Sequence, residues 1–463
     1  MLTIAPRFRP RFEPGFTPAV LWNRAYDELV VADPSARRFA LALVRPEGGV
    51  SRWEGRALSS THPQAALSLR FAERVLKFLL WQKGGFRVWV AGADELAGQL
   101  RKIYAPGGAR AFDADFMGER IYGQPFVIEA CAWDALPAES NADQPLGRHL
   151  KGCRIGFDLG GSDRKTAAVI DGQVVFSEEV AWDPYFQADP AYHIAGVNHS
   201  IERAAAHLPR IDAIGGSAAG VYVRNEVRVA SLFRGVPHDR FEREIRPMFA
   251  ALRQRWGGVP FEVVNDGEVA ALAGAMSLQK NAVLGVSMGT SMAGGYVTPT
   301  GEITSWLNEL AFVPVDYQEG APVDEWSGDA GCGVQYFSQQ GVARFVRRAG
   351  FSLPAELPPA EILVALQQAQ RAGDPRANGV FETVGTCFGY ALASFAEHYH
   401  VRHVLLLGRV TSGEGGTIIV REAKRVLEAE FPAVAADLEI HIPDEKSKRH
   451  GQAIAAASLP ALV

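Results

Sequence analysis

A carboxylate, two glycines, a hydroxyl and two cations stand almost side by side in RIGFDLGGSDRKTAAVIDGQVVFSEEVA, Arg154 to Ala181. They are Asp158, Gly160, Gly161, Ser162, Arg164 and Lys165. That set can hold a phosphate and its metal. The glycines let the backbone come close, Ser162 and main-chain N–H groups donate hydrogen bonds, and Lys165 adds positive charge. Asp158 can hold Mg2+ directly or through water. The same letters also fit a plain β-hairpin with a Gly-rich turn, because short Gly motifs are common. Two similar turns occur downstream. Gly289, Thr290 and Ser291 separate the runs NAVLGVSM and MAGGYV, and Gly408 opens GRVTSGEGG after HVLLL. Between the first and second turns stands Asn265-Asp266, after a short apolar run and before an Ala-rich stretch. An Asp there suits a helix N-cap as well as a proton acceptor.

The elements that must position these residues alternate between strand and helix. Ile155 and Phe157 lead a strand into Asp158, and Asp171-Gly172 is a hairpin signal between the two strands that follow. A helix is expected from Ala191 to Leu208, with Ile194, Val197, Ile201, Ala204 and Leu208 on one face. A strand from Ile211 to Ser217, a helix from His238 to Trp256 and a short strand to Val264 then bring the chain to Asp266. Upstream, residues 1–136 read as an accessory α/β domain. It begins with a Pro-, Arg- and Phe-rich arm extended on the body of the protein. The helix Gln64 to Gln82 places Leu67, Phe71, Val75, Phe78 and Leu79 on one face. Asp113, Asp115 and Glu119 are expected on a solvated helix face. Residues 137–152 are polar and read as a linker. The remainder, 153–463, divides into two lobes at about residue 275.

At 463 residues the chain is long enough for two or three domains. It is 48% hydrophobic and 21% charged, ordinary for a globular protein. A net charge of -5 argues against a nucleic-acid binder. Cys131, Cys153, Cys332 and Cys387 are far apart and no two have metal-ligand spacing, which fits a reducing compartment. No apolar leader and no membrane-length apolar run is present, so a cytoplasmic protein is expected.

Taken together, the motifs resemble the actin-like ATPase superfamily of sugar kinases, hexokinase and heat-shock ATPases, and within it the ROK family (repressor, open reading frame, kinase). IGFDLGGSDRKTAAVIDGQVV is similar to its first phosphate motif and VVNDGEVAALAGAM to its Asn-Asp catalytic segment. VLGVSMGTSMAGGYVTPTGEI is similar to its second phosphate motif and LLLGRVTSGEGG to its adenosine motif. The resemblance runs from about Arg154 to the C-terminus. It implies a two-lobed actin-like (ribonuclease H-like) α/β core that binds ATP and Mg2+ and phosphorylates a sugar or sugar-like polyol. Asp158 would help hold Mg2+, and Gly160, Gly161, Ser162, Lys165, Gly289, Thr290 and Ser291 would wrap the phosphates. Gly408, Ser412, Gly413, Gly415 and Gly416 would shape the adenosine slot. Asp266 would be the general base, with Asn265, Asn308 and Glu309 as sugar contacts. A homodimer is the family's suggestion for assembly.

The sequence departs from that family at specific points. Phe312 stands where members place a zinc-binding His, and only Cys332 remains of the downstream cysteines. One thiol without the His cannot make a four-coordinate site, so no zinc is expected there. Packing of Phe312, Trp306 and Trp326 is the expected substitute. Loss of that His, and Val334 in place of a Glu, should change the substrate or abolish sugar binding. A non-catalytic nucleotide- or sugar-binding sensor is therefore the alternative to a kinase. No basic recognition helix is evident before residue 150, which argues against a DNA-binding repressor.

Overall fold

The computed structural model describes residues 2–140, 146–443 and 445–462, so part of the expected linker, 141–145, lies outside the described residues. Among the described residues no helix is long and apolar enough to cross a membrane. The strands fall into three main sheets. Strands β1 (Arg37–Val44), β2 (Val50–Ala57), β3 (Arg87–Ala91) and β4 (Val127–Cys131) form the first, in the order β2-β1-β3-β4. Strands β5 (Cys153–Leu159), β6 (Asp163–Ile170), β7 (Gln173–Ala181) and β8 (Ala213–Ala218) belong to the second. A separate hairpin of β9 (Val221–Val223) and β10 (Glu226–Val229) follows. Then β11 (Phe261–Asn265) completes the second sheet in the order β11-β8-β5-β6-β7. The third sheet, β13-β12-β14-β15, contains β12 (Val283–Met288), β13 (Met292–Val297), β14 (His403–Leu407) and β15 (Glu439–His441).

Local chemistry explains the second sheet. β5 is buried along its whole length and pairs antiparallel with β6 and parallel with β8. Asp171 and Gly172 both have positive φ, as the tight turn between β6 and β7 requires. Glycines at 156 and 215 have a packing cause. A Cβ there would lie 1.8 Å from Ala453 O and 1.7 Å from Ala456 O, both in the C-terminal helix Glu445–Ala457. By sequence position that helix falls in the second lobe. It packs instead on β5, β6 and β8 of the second sheet, where Gly156 and Gly215 let its backbone approach. Beside it runs the helix Asp266–Leu278, which contacts β12 and β13 of the third sheet. These two helices stand between the sheets. Val269, Leu272, Val283, Leu405, Ala456 and Leu459 form their shared apolar seam.

One face of the first sheet carries a small cluster of its own, Ala40, Ala42, Val50, Ala91 and Leu136, and the other packs into a core shared with the third sheet. One continuous apolar cluster runs from Phe16, Tyr26 and Trp81 through Leu284, Phe337 and Phe388 to Ile440. The arm lies along the body as expected. Phe8 N donates to Tyr390 Oη, Phe12 N to Thr383 Oγ1 and Thr17 N to Asp316 Oδ1. The helix Ala66–Lys83 was expected to be one-sided, but it is buried nearly all round. It sits between the first sheet and the segment after β13, where Glu309 N donates to Trp81 O (3.0 Å) and Phe312 stacks on Trp81 at 4.2 Å. Its interior charges are therefore paired. Lys77, fully buried, meets Asp113 at 3.0 Å and Asp329 at 3.1 Å. Asp113 is thus not on a solvated face. Of the three aromatics expected to replace the metal, Phe312 packs at that helix, Trp306 stacks on Tyr296 and carries the helix's last residue, Lys83, 4.0 Å over its ring, and Trp326 is 66% exposed.

Candidate functional site

Asp158 is the penultimate residue of β5 and is 6% exposed. Ser217 Oγ, at the same level on β8, donates to its Oδ1 at 2.6 Å. Lys165, its register partner on β6, lies 3.9 Å from Oδ2 and pairs more closely with Asp163, at 3.0 Å. Burial raises the Asp158 carboxyl above the ordinary range, while Ser217 and Lys165 pull it back. The turn after it is braced from behind, since Gly160 O accepts from Trp182 Nε1 at 2.7 Å. Gly161 faces the Tyr185 hydroxyl, and Arg234 lies 4.1 Å over the Tyr185 ring. Ser162 is exposed. Arg234 is thus an exposed cation brought to this turn from a loop that carried no motif.

Asp266 begins the helix Asp266–Leu278 immediately after β11. The N-cap is Asn265, not Asp266. Asn265 Oδ1 accepts from Gly267 N at 2.7 Å, and its Nδ2 donates to Gly220 O at 2.7 Å. Asp266 is half-buried, and its Oδ1 shares the same Gly267 N–H at the longer distance of 3.0 Å. Burial, with the Asp158 charge second, pushes its carboxyl up to about 6. Glu309 is pushed to about 7 by burial and by the Asp266 charge, and Glu268 to about 8 chiefly by burial. Four carboxyls thus form one electrostatically linked row: Asp158, Asp266, Glu309 and Glu268. The helix N-terminus reaches the third sheet because Gly267 lies against Gly294 and Gly295 of β13, where any Cβ would strike backbone.

Asn308 is not a cavity residue. It is 1% exposed with φ 49°, donates from Nδ2 to Glu268 Oε1 (2.5 Å) and accepts from Tyr399 Oη (2.7 Å). Both ends are committed to holding Glu268, which also accepts from Tyr296 N at 3.1 Å. Glu268 sits three residues after the cap, where a capping-box Glu would stand; that spacing was the signal available for it. It turns away from the cap to bind Asn308 and Tyr296.

Two cavities flank the helix Asp266–Leu278. The smaller, about 160 Å3, is lined by Asn265, Glu268 and Glu309, by Tyr222 and Arg224 of the β9–β10 hairpin, and by Arg45 from the first sheet. Arg45 and Tyr222 carried no motif; only the packing of the first sheet and the hairpin brings them here. The larger, about 570 Å3, is lined by Ala273, Gly274, Ser287, Leu407, Gly408 and Ile442. Its size and apolar walls suit a nucleoside.

The second and third turns meet: a Cβ on Gly408 would lie 2.4 Å from Met288 O, at the end of β12. Thr290 and Ser291 are exposed, and a Cβ on Gly289 would meet nothing nearer than 3.8 Å, so this turn has room for a phosphate. Gly413 is equally open, with φ 68° and nothing within 4 Å; Ser412 beside it is half-buried. Gly415 and Gly416 differ from the expected slot. Their missing Cβ atoms would lie 2.6 Å from the Phe381 ring and 2.0 Å from Thr411 O, so they are packing glycines of the helix Glu414–Glu430. The open turns and the buried Asp158 carboxylate fit a bound nucleotide and its cation.

No protein-family model matches the chain, and no curated relative does. Solved structures do. A ROK hexokinase from Thermus thermophilus aligns with a TM-score of 0.52 at 19% identity, over 66% of this chain and 96% of that one. A ROK family transcriptional regulator, homologous to the MLC protein of E. coli, aligns with a TM-score of 0.50 at 18% identity, over 67% of this chain and 79% of that one. At these identities the likeness concerns the fold: over about two-thirds of its length this α/β chain has the actin-like fold of ROK sugar kinases and regulators.

Proposed function

We propose that the protein is an ATP-dependent kinase for a hydroxyl of a sugar or sugar-like polyol, with Asp266 as the general base. The observation that carries this reading is the Asp266 carboxyl, which is not the cap residue of its helix and is pushed up to about 6 by burial and the Asp158 charge. A base poised just below neutral is ionised at pH 7 and still accepts a proton readily. Mg-ATP, when bound, supplies the transferable phosphoryl group and the cation that neutralises it. Asp158 would hold the cation, Lys165 and the turns Gly160–Ser162 and Gly289–Ser291 the phosphates, and Gly408, Ser412 and Gly413 the nucleoside side. The polyol occupies the small cavity, where Glu309 and the remaining amide N–H of Asn265 fix hydroxyls next to the reacting one. Asp266 takes the proton of the attacking hydroxyl as its oxygen bonds to the γ-phosphorus, and the bond from that phosphorus to the bridging oxygen breaks, so that ADP leaves. Positioning and charge neutralisation supply most of the rate in such transfers.

A second reading, a sensor that binds nucleotide or sugar without turnover, is favoured by one feature. Asn308 and much of Asn265 are spent on internal hydrogen bonds, which leaves few groups to grip a sugar. A regulator shares the fold. ADP release with Mg-ATP across hexoses, amino sugars, sugar acids and polyols separates the two. Turnover with one of them that vanishes in Asp266→Asn supports the kinase. No turnover with any, while Mg-ATP still raises the melting temperature, supports the sensor.

A further inference from the structure

At the outer end of the third sheet, away from the phosphate turns, β14 and β15 run parallel in the register His403↔Glu439 and Leu405↔His441. Residues two apart on a strand share a face, so this register puts His403, Glu439 and His441 on one side of the sheet. Their donor atoms converge. His403 Nδ1 and His441 Nε2 are 3.2 Å apart, and Glu439 Oε2 lies 3.4 Å from the first and 3.5 Å from the second. A tetrahedral ion with bonds of about 2.0–2.1 Å separates its ligand atoms by about 3.4 Å. The three distances are therefore the edges of one face of such a tetrahedron. A hydrogen bond between the imidazoles would account for the first distance alone. It does not account for a carboxylate oxygen equidistant from both nitrogens and too far from either for a good hydrogen bond.

We propose that His403, Glu439 and His441 form a Zn2+ site that staples β15 to the third sheet. Two imidazoles and one carboxylate suit Zn2+ and disfavour Mg2+, which takes oxygen ligands. The His403 and His441 side chains are 12% and 24% exposed and Glu439 64%, so the fourth position opens to water. Lys280 and Arg402 lie close enough to His403 to act against a cation, which weakens the affinity. The site is five residues up β14 from Gly408, roughly 16 Å, so it takes no part in phosphoryl transfer. It is also separate from the Cys332 loop. Its effect is structural. β15 has only three residues, and the chain after it supplies Ile442 to the wall of the larger cavity before entering the C-terminal helix.

The test uses the full chain without an affinity tag, treated with EDTA, dialysed and titrated with ZnCl2 by calorimetry, with melting temperature measured in parallel. One equivalent should bind at micromolar concentration and raise the melting temperature, and millimolar Mg2+ should not compete. His403→Gln/His441→Gln should abolish both effects while the metal-free melting temperature stays within about a degree of wild type. Glu439→Gln, an exposed change that leaves packing intact, should weaken binding about tenfold even if the double variant fails to fold. Absence of binding by the wild type, or binding unchanged in Glu439→Gln, overturns the proposal.

Discussion

Replacing Asp266 by Asn should stabilise the protein at pH 8 while abolishing turnover. The carboxyl is raised from 3.8 to about 6 by burial and by Asp158. Its folded value lies above its unfolded one, so ionisation opposes folding. The penalty is absent below about pH 4 and complete above about pH 6. A shift of about 2 units corresponds to ~3 kcal/mol. Asn is neutral throughout and keeps an oxygen to accept from Gly267 N, which now donates to Asp266 Oδ1 at 3.0 Å. If the chain unfolds as one unit, roughly 2.1 cal/mol/K per residue turns that into a rise of about 3 °C. The assay is thermal unfolding of wild type and variant at pH 4, 6 and 8 without ligand. The gain should be near zero at pH 4 and grow to its full size by pH 8. A gain independent of pH, or a variant less stable than wild type at pH 8, would refute the argument that Asp266 is held ionised against its surroundings. The result does not depend on knowing the substrate.

Other consequences follow from the same geometry. Turnover should fall as pH drops through about 6 to 7, where Asp266 and Glu309 take up protons; the limb belongs to the pair, and Glu309→Gln should move it. Gly289→Val has room for its side chain, so it should leave the melting temperature within about a degree and yet reduce the shift produced by Mg-ATP. Gly415→Ala, aimed at the Phe381 ring, should instead cost about 1–3 kcal/mol in urea unfolding with no selective effect on nucleotide. Lys77→Met leaves Asp113 and Asp329 short of a buried partner and should destabilise by about 3–5 kcal/mol. A loss under 1 kcal/mol would show that Arg74 and Arg110, both also on Asp329, are enough to hold the network.

Much of the second and third sheets was legible because their signals are local. Each glycine turn follows an apolar run, Asp171-Gly172 marks its own hairpin, and Asp266 follows a strand and opens a helix. Roles decided by what lies across a gap were not legible. Gly289 and Gly415 read alike as phosphate or adenosine glycines, yet one faces open space and the other Phe381. Asn308 reads as a loop amide beside Glu309, but a left-handed backbone turns it inward onto Glu268 and Tyr399. The helix Ala66–Lys83 shows an apolar face, but its polar face is also covered, because Asp113 and Asp329 arrive from distant segments to pair with Lys77 and Arg74.

The sequence alone determined the alternating α/β order, the three Gly-rich turns at strand ends and the carboxylates beside two of the sheets, because these depend on periodicity and turn chemistry over a few residues. Tertiary structure decided which of those groups share a cavity, that Asn265 rather than Asp266 caps its helix, and that the C-terminal helix returns to the second sheet. It also decided that His403, Glu439 and His441 meet. Their spacing along the chain carries no metal signature; only the parallel register of β14 and β15 closes the distance.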